Sequence, residues 1–165
     1  LTENEQGSFI ENKNIGLKIL VPENWKVKRI EGIGVDSKNV MEGAIAVYSP
    51  DSEIDELTHL ASKGCGVSIR YERRPGEKQY KTIYNVIESL KTGIEKEGYE
   101  IVQVSGRDAL FEIVIEQEGI GKAIMVSLPV EENIYIFETV IPANEAERCQ
   151  KEFSDFLTKI EVSKK

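Results

Sequence analysis

His59 is the chain's single imidazole, and neither a Gly-x-Ser-x-Gly turn nor a catalytic-cysteine context accompanies it. A Ser-His-Asp or Cys-His site would have to combine His59 with a distant serine or with Cys65, so the plain reading is a surface or packing histidine. Cys65 and Cys149 are the only cysteines, too few and too far apart for a zinc site or a Cys-x-x-Cys redox pair. A disulfide between them requires the fold to bring them together. Otherwise Cys149 reads as a small buried hydrophobe, while Cys65, between Gly64 and Gly66, sits where a loop enters a strand. The run Gly119-Ile120-Gly121-Lys122 lacks phosphate-loop spacing and falls in a hairpin, where glycine serves the turn. Carboxylate pairs are uninformative in a chain with 29 acidic residues, so nothing speaks for a glycosidase. No catalytic, cofactor-binding or metal-ligating set emerges.

One stretch departs from the overall charge. Between Lys63 and Lys81, the basic residues Lys63, Arg70, Arg73, Arg74, Lys78 and Lys81 outnumber Glu72 and Glu77. Guanidinium forks suit carboxylate or phosphate, so Arg70, Arg73, Arg74 and Lys78 form the candidate contact surface for an acidic protein partner or anion. The alternative is a solvated strand face and loop. The whole chain carries 21 basic and 29 acidic residues, a net charge of -8. That balance disfavours nucleic acid and anionic membranes as partners, because like charges repel within a Debye length.

The elements that would position these residues follow from periodicity. Phe9 to Asn12 and Leu17 to Val21 read as a hairpin closed by Pro22, followed by strands at Lys26 to Ile30 and Gly43 to Tyr48. Ser52 to Ser62 reads as a short helix behind Asp51, Glu53, Asp55 and Glu56, or as irregular structure. Val67, Ile69 and Tyr71 alternate with Ser68, Arg70 and Glu72, which predicts a strand with one wet face and places Arg70, Arg73 and Arg74 on an accessible edge. Thr82 to Glu97 predicts a helix through Ile83, Ile87, Leu90 and Ile94, stopped at Gly98, with Gly93 inside it. A meander follows at Tyr99 to Val104, Ala109 to Glu116, Lys122 to Leu128 and Ile134 to Ile141, with a loop at Pro129 to Asn133. Both faces of Ile134 to Ile141 are apolar, which predicts a central strand. Asn144 with Glu147 resembles a capping pair opening a last helix over Ala143 to Lys159, whose apolar stripe runs from Ala146 and Cys149 to Phe156 and Ile160.

Composition agrees with a folded domain: 40% hydrophobic and 30% charged residues, both signs interspersed. At 165 residues one core suffices, burying about 70% of the unfolded surface. No stretch reaches the ~18 apolar residues of a membrane span. Residues 1–7 read as a flexible, acidic linker and residues 8–165 as a single domain. The chain starts at Leu1, and the expectation is a soluble part of an exported or lipid-anchored bacterial protein, extracytoplasmic, with a cytoplasmic protein as the alternative.

The run from Gly16 to Trp25, with its Pro22-x-x-Trp25 turn, resembles the opening of the PsbP/Mog1-like family, and the meander and closing helix from Gly98 to Val162 resemble that family's second half. The resemblance implies an antiparallel sheet flanked by helices, an α+β fold of the α/β/α sandwich type. It also implies non-enzymatic accessory or binding roles, as in photosystem II extrinsic subunits, a Ran-binding nuclear transport factor and bacterial lipoproteins. With one histidine, the chain offers little for a histidine-rich cofactor interface of the photosystem kind. The function expected is thus a non-enzymatic accessory or protein-binding domain without cofactor; the alternative is a small-molecule-binding domain or a hydrolase, which would need a deep pocket with convergent polar groups.

Overall fold

A computed structural model describes residues 2–4, 7–30, 44–56, 60–73, 77–119 and 121–163. His59 and Arg74 lie outside them. The first strands are β1 (Thr2–Asn4), β2 (Gly7–Asn12), β3 (Leu17–Leu20), β4 (Lys26–Ile30) and β5 (Ala44–Tyr48). Next come β6 (Glu53–Ile54), β7 (Ala61–Lys63), β8 (Gly66–Arg73) and helix α1 (Glu77–Lys91). Strands β9 (Tyr99–Val104), β10 (Arg107–Gln117), β11 (Gly121–Val130) and β12 (Asn133–Pro142) make the meander. A 3-10 turn (Ala143–Glu145), helix α2 (Ala146–Leu157) and β13 (Ile160–Val162) finish the chain.

The main sheet has seven strands in the order β4-β5-β8-β12-β11-β10-β9, all antiparallel neighbours. β12 is the central strand, as its two apolar faces predict: Ile134 and Ile136 pack under α1 with Ile83, Ile87 and Leu110. Tyr135 and Phe137, pointing the other way, join the large core with Phe153, Phe156, Ile124 and Val126. That second face is covered by α2 and by a separate four-stranded sheet, β1-β2-β3-β13.

This corrects the expected α+β, α/β/α sandwich. Strand accounts for 53% and helix for 20%, so the protein is mostly β and is not a helix-flanked sandwich. The cause lies at the chain ends. Ile160, expected to extend the last helix, instead pairs with Ile19 in β13, and this C-terminal strand completes a sheet with the opening hairpin. Thr2–Asn4, within the stretch read as a linker, pairs with β2.

Three local expectations change for identifiable reasons. The segment expected as a short helix after Asp51 holds a two-stranded ladder, Glu53 with Lys63 and Ile54 with Ala61. Helix α1 starts earlier and ends earlier than predicted. The Ile94 N–H donates to the Ser89 carbonyl and the Gly93 N–H to the Leu90 carbonyl, the paired bonds of a Schellman stop, with Gly93 at φ 86°. Gly93 therefore terminates the helix instead of weakening its interior. Helix α2 has Glu145 at its N-cap without a side-chain capping bond, so Asn144 and Glu147 do not form the expected pair. The Pro22-x-x-Trp25 turn is present: the Trp25 N–H donates to the Pro22 carbonyl at 3.1 Å, with Asn24 at φ 63°, a conformation asparagine tolerates.

Candidate functional site

The sequence singles out the basic segment, and the sheet order decides how it is presented. β8 is an internal strand between β5 and β12, so Arg70 projects from a sheet face and not from an edge. It stands opposite Ile136, on the α1 side, half-buried, with Nη2 3.4 Å from the Glu138 carboxylate and 3.8 Å from the Met125 sulfur. Its Nε is buried and has no partner among the described residues. Arg73 closes β8 opposite Asn133, and Lys78 falls in the first turn of α1. The chain therefore brings Arg73 and Lys78 to the same strand-to-helix junction, while Arg70 is already engaged by a carboxylate.

Next to Arg70 and Glu138 the same sheet face holds a small hollow. Its lining includes Ala46, Tyr48, Gly66, Ser68, Glu138 and Val140. Its volume of about 50 Å³ is far below the ~300–1,000 Å³ of ligand pockets. Two further depressions, along Val86, Leu90 and Ile94 and beside Glu116, Lys122 and Ala146, are larger, at about 330 and 360 Å³, and open to solvent. Among the described residues, no group of three or more His, Cys, Asp or Glu side chains is placed to hold a metal ion.

The densest polar construction lies elsewhere, where the first turn of α2 meets the β5–β6 and β7–β8 connections. Arg148 donates from Nη1 and Nη2 to the two oxygens of Asp51, at 2.6 and 2.7 Å. Ser49 Oγ donates to Asp51 at 2.8 Å and accepts from the Cys65 N–H at 2.9 Å, and the Ser49 N–H donates to the Cys65 carbonyl. Ser52 Oγ donates to the Ser49 carbonyl at 2.7 Å. One residue after Arg148, Cys149 is joined to Cys65 by a disulfide, and both cysteines are buried in the main core. Gly64 lets these segments approach: its φ is 74°, and a Cβ there would stand 2.7 Å from Ser49 Oγ and 2.8 Å from Ser52 Cα.

The electrostatics of this junction are those of a clamp. The Arg148 guanidinium, and then Ser49, hold the Asp51 carboxyl well below the usual carboxylate range, and Asp51 in turn holds Arg148 protonated. With both carboxylate oxygens bonded, Asp51 is not available as a general base, and Ser49 Oγ is buried and spent as a donor to it. Sequence reasoning missed this arrangement. Asp51 reads locally as a helix-opening carboxylate, Cys149 as a plain hydrophobe, and Arg148 carries no signal at all.

No protein-family model matches the chain, and no curated protein matches it. Among solved structures, the solution structure of cyanobacterial PsbP (CyanoP) from Synechocystis sp. PCC 6803 is 11% identical, at a TM-score of 0.54, over 94% of this chain and 91% of that one. The fold is PsbP-like. A crystal structure from Bacteroides thetaiotaomicron VPI-5482 is 14% identical at a TM-score of 0.52, over 91% of this chain. The match spans 46% of that chain, about half its length. At such identities the likeness is one of fold.

Proposed function

We propose that this chain is a non-enzymatic accessory or protein-binding domain that operates in an oxidising, extracytoplasmic compartment. The observation that carries the compartment is the Cys65–Cys149 bond, buried in the main core and joining residues 84 positions apart. Cytosolic thiols are kept reduced, whereas disulfides persist in secreted and periplasmic proteins. The PsbP-like fold fits an accessory role in a general sense. The contact surface offered to an acidic protein is the basic segment, through Arg73, Arg74 and Lys78, with Arg70 held by Glu138.

Expression of the same chain in the bacterial periplasm and in a reducing cytoplasm tests the compartment. Periplasmic protein should carry no free thiol and melt higher; a fully reduced cytoplasmic form of equal stability would contradict the reading. For the surface, an acidic probe such as a polyglutamate peptide should bind the wild type with an affinity that falls as salt rises. Alanine at Arg73, Arg74 and Lys78 should weaken that binding at unchanged stability, and salt-insensitive binding that survives the triple substitution would refute it.

A further inference from the structure

The two ends of the seven-stranded sheet are finished differently. β4, at one end, reads Lys26-Val27-Lys28-Arg29-Ile30, three basic residues in five, so two copies meeting along it would oppose like charges. Charged edges are a common guard against strand-to-strand association. β1 and β13, the outer strands of the smaller sheet, have three residues each and offer little to pair with. β9, Tyr99-Glu100-Ile101-Val102-Gln103-Val104, has six residues, one charge, no proline and no lysine. Among the described residues nothing pairs with its outer side.

The hydrogen-bond phase of β9 is fixed by its neighbour. The Ile113 N–H donates to the Gly98 carbonyl, and Val104 stands opposite Arg107 across a two-residue turn, so the even-numbered residues of β9 bond to β10. Ile101 and Gln103 therefore turn their N–H and C=O groups outward. The Tyr99 N–H is already taken by the Lys96 carbonyl, which bounds the free ladder at its start.

We propose that β9 is a self-association edge, pairing antiparallel with β9 of a second copy about a two-fold axis at Val102. In that register Ile101 faces the partner copy's Gln103 and each exchanges both of its outward groups, giving four hydrogen bonds. Val102, half-buried on the core side of the sheet, meets its own copy as an apolar pair at non-bonded spacing. Glu100, the strand's single charge, falls opposite Val104, so no like charges oppose. The occupant is a second copy because the outward groups of Ile101 and Gln103 match their own copies in hydrogen-bond phase about the two-fold axis, and the register sets no charge against a like one. A contact this narrow is small by interface standards, and association is weak and concentration-dependent.

Sedimentation across a concentration series tests it. The average mass should climb from 18.6 kDa towards twice that value. Val102→Lys and Val102→Glu should each stay monomeric, because like charges then meet at the axis, and an equimolar mixture of the two should associate. Gln103→Pro removes the outward N–H groups, two of the four bonds, together with the side-chain bond from Gln103 to Asp108 of β10, and should weaken association about tenfold or more while sparing the backbone pairing with β10. It also covers the case in which a charge at Val102 unfolds the chain. In the wild type, hydrogen exchange at Ile101 and Gln103 should slow as concentration rises. Mass that stays monomeric throughout overturns the proposal, as does a dimer in which those two amides are unaffected, or protection of them that needs a strand from a different protein.

Discussion

Arg148 grips both carboxylate oxygens of Asp51 across 97 residues of chain, one position away from the cysteine whose disulfide spans the same seam. Two unlike links thus tie the first turn of α2 to the loops around Ser49 and Gly64. One is covalent and buried; the other is ionic and partly exposed. They should respond to different perturbations.

The ionic link should show in the acid limb of stability. Asp51's pKa in the folded chain lies below its ordinary 3.8, so the unfolded chain binds the extra proton. A depressed carboxyl contributes stability that is complete above its unfolded pKa and is lost as pH falls through the folded one. The clamp is therefore fully present at neutral pH and fades only below about pH 4. Urea unfolding across that range should give a shallower acid loss for Asp51→Asn than for the wild type. Identical acid slopes would contradict the assignment. High salt should also reduce the wild type's advantage, as for other exposed pairs.

Removing the disulfide should cost more. Closing a loop of 84 residues removes about 4–5 kcal/mol of unfolded-state entropy in the chain model, and measured effects usually reach about 2–4 kcal/mol. Cys65→Ala with Cys149→Ala should lower the urea midpoint accordingly. Because both cysteines are buried, at 3% and 1% exposure, a thiol reductant should act on the native protein only as fast as it opens. Rapid reduction without unfolding would argue against that burial.

Two glycines with similar φ, Gly64 at 74° and Gly93 at 86°, should differ sharply. Gly93→Ala meets no atom within 4 Å and should cost only about 1–2 kcal/mol for a left-handed alanine. Gly64→Ala adds a collision with Ser49 and Ser52 to the same penalty and should cost clearly more. Equal melting temperatures for the two variants would mean that the junction yields freely.

Tyr135 should behave as a buried, bonded phenol. Its hydroxyl donates to the Ile15 carbonyl, 120 positions away, and its ring lies 4.9 Å from that of Tyr71. Burial, with Tyr71 adding to it, pushes its pKa up to about 12. Tyr135→Phe should destabilise by about 1–2 kcal/mol by leaving that carbonyl without its donor. Ultraviolet titration should show one tyrosine fewer ionising late; a variant as stable as the wild type would count against the bond.

What the chain alone determined is what neighbours in sequence control. Alternation placed Val67, Ile69 and Tyr71 in the core, the doubly apolar run from Ile134 to Ile141 marked the central strand, and the Pro22-x-x-Trp25 turn formed where proline and asparagine favour it. These signals are local because strand period and turn angles depend on adjacent residues. Tertiary structure decided the rest. Ile160 satisfies a helical stripe and a strand equally well, and only pairing with Ile19 made it β13 and turned the expected sandwich into a second sheet. Arg70 lost its expected edge because strand order, which sequence alternation does not encode, put β8 inside the sheet. The Asp51–Arg148 and Cys65–Cys149 links join positions 97 and 84 apart. No local pattern marks such pairs, since their geometry exists only after the core has packed and brought α2 against the sheet.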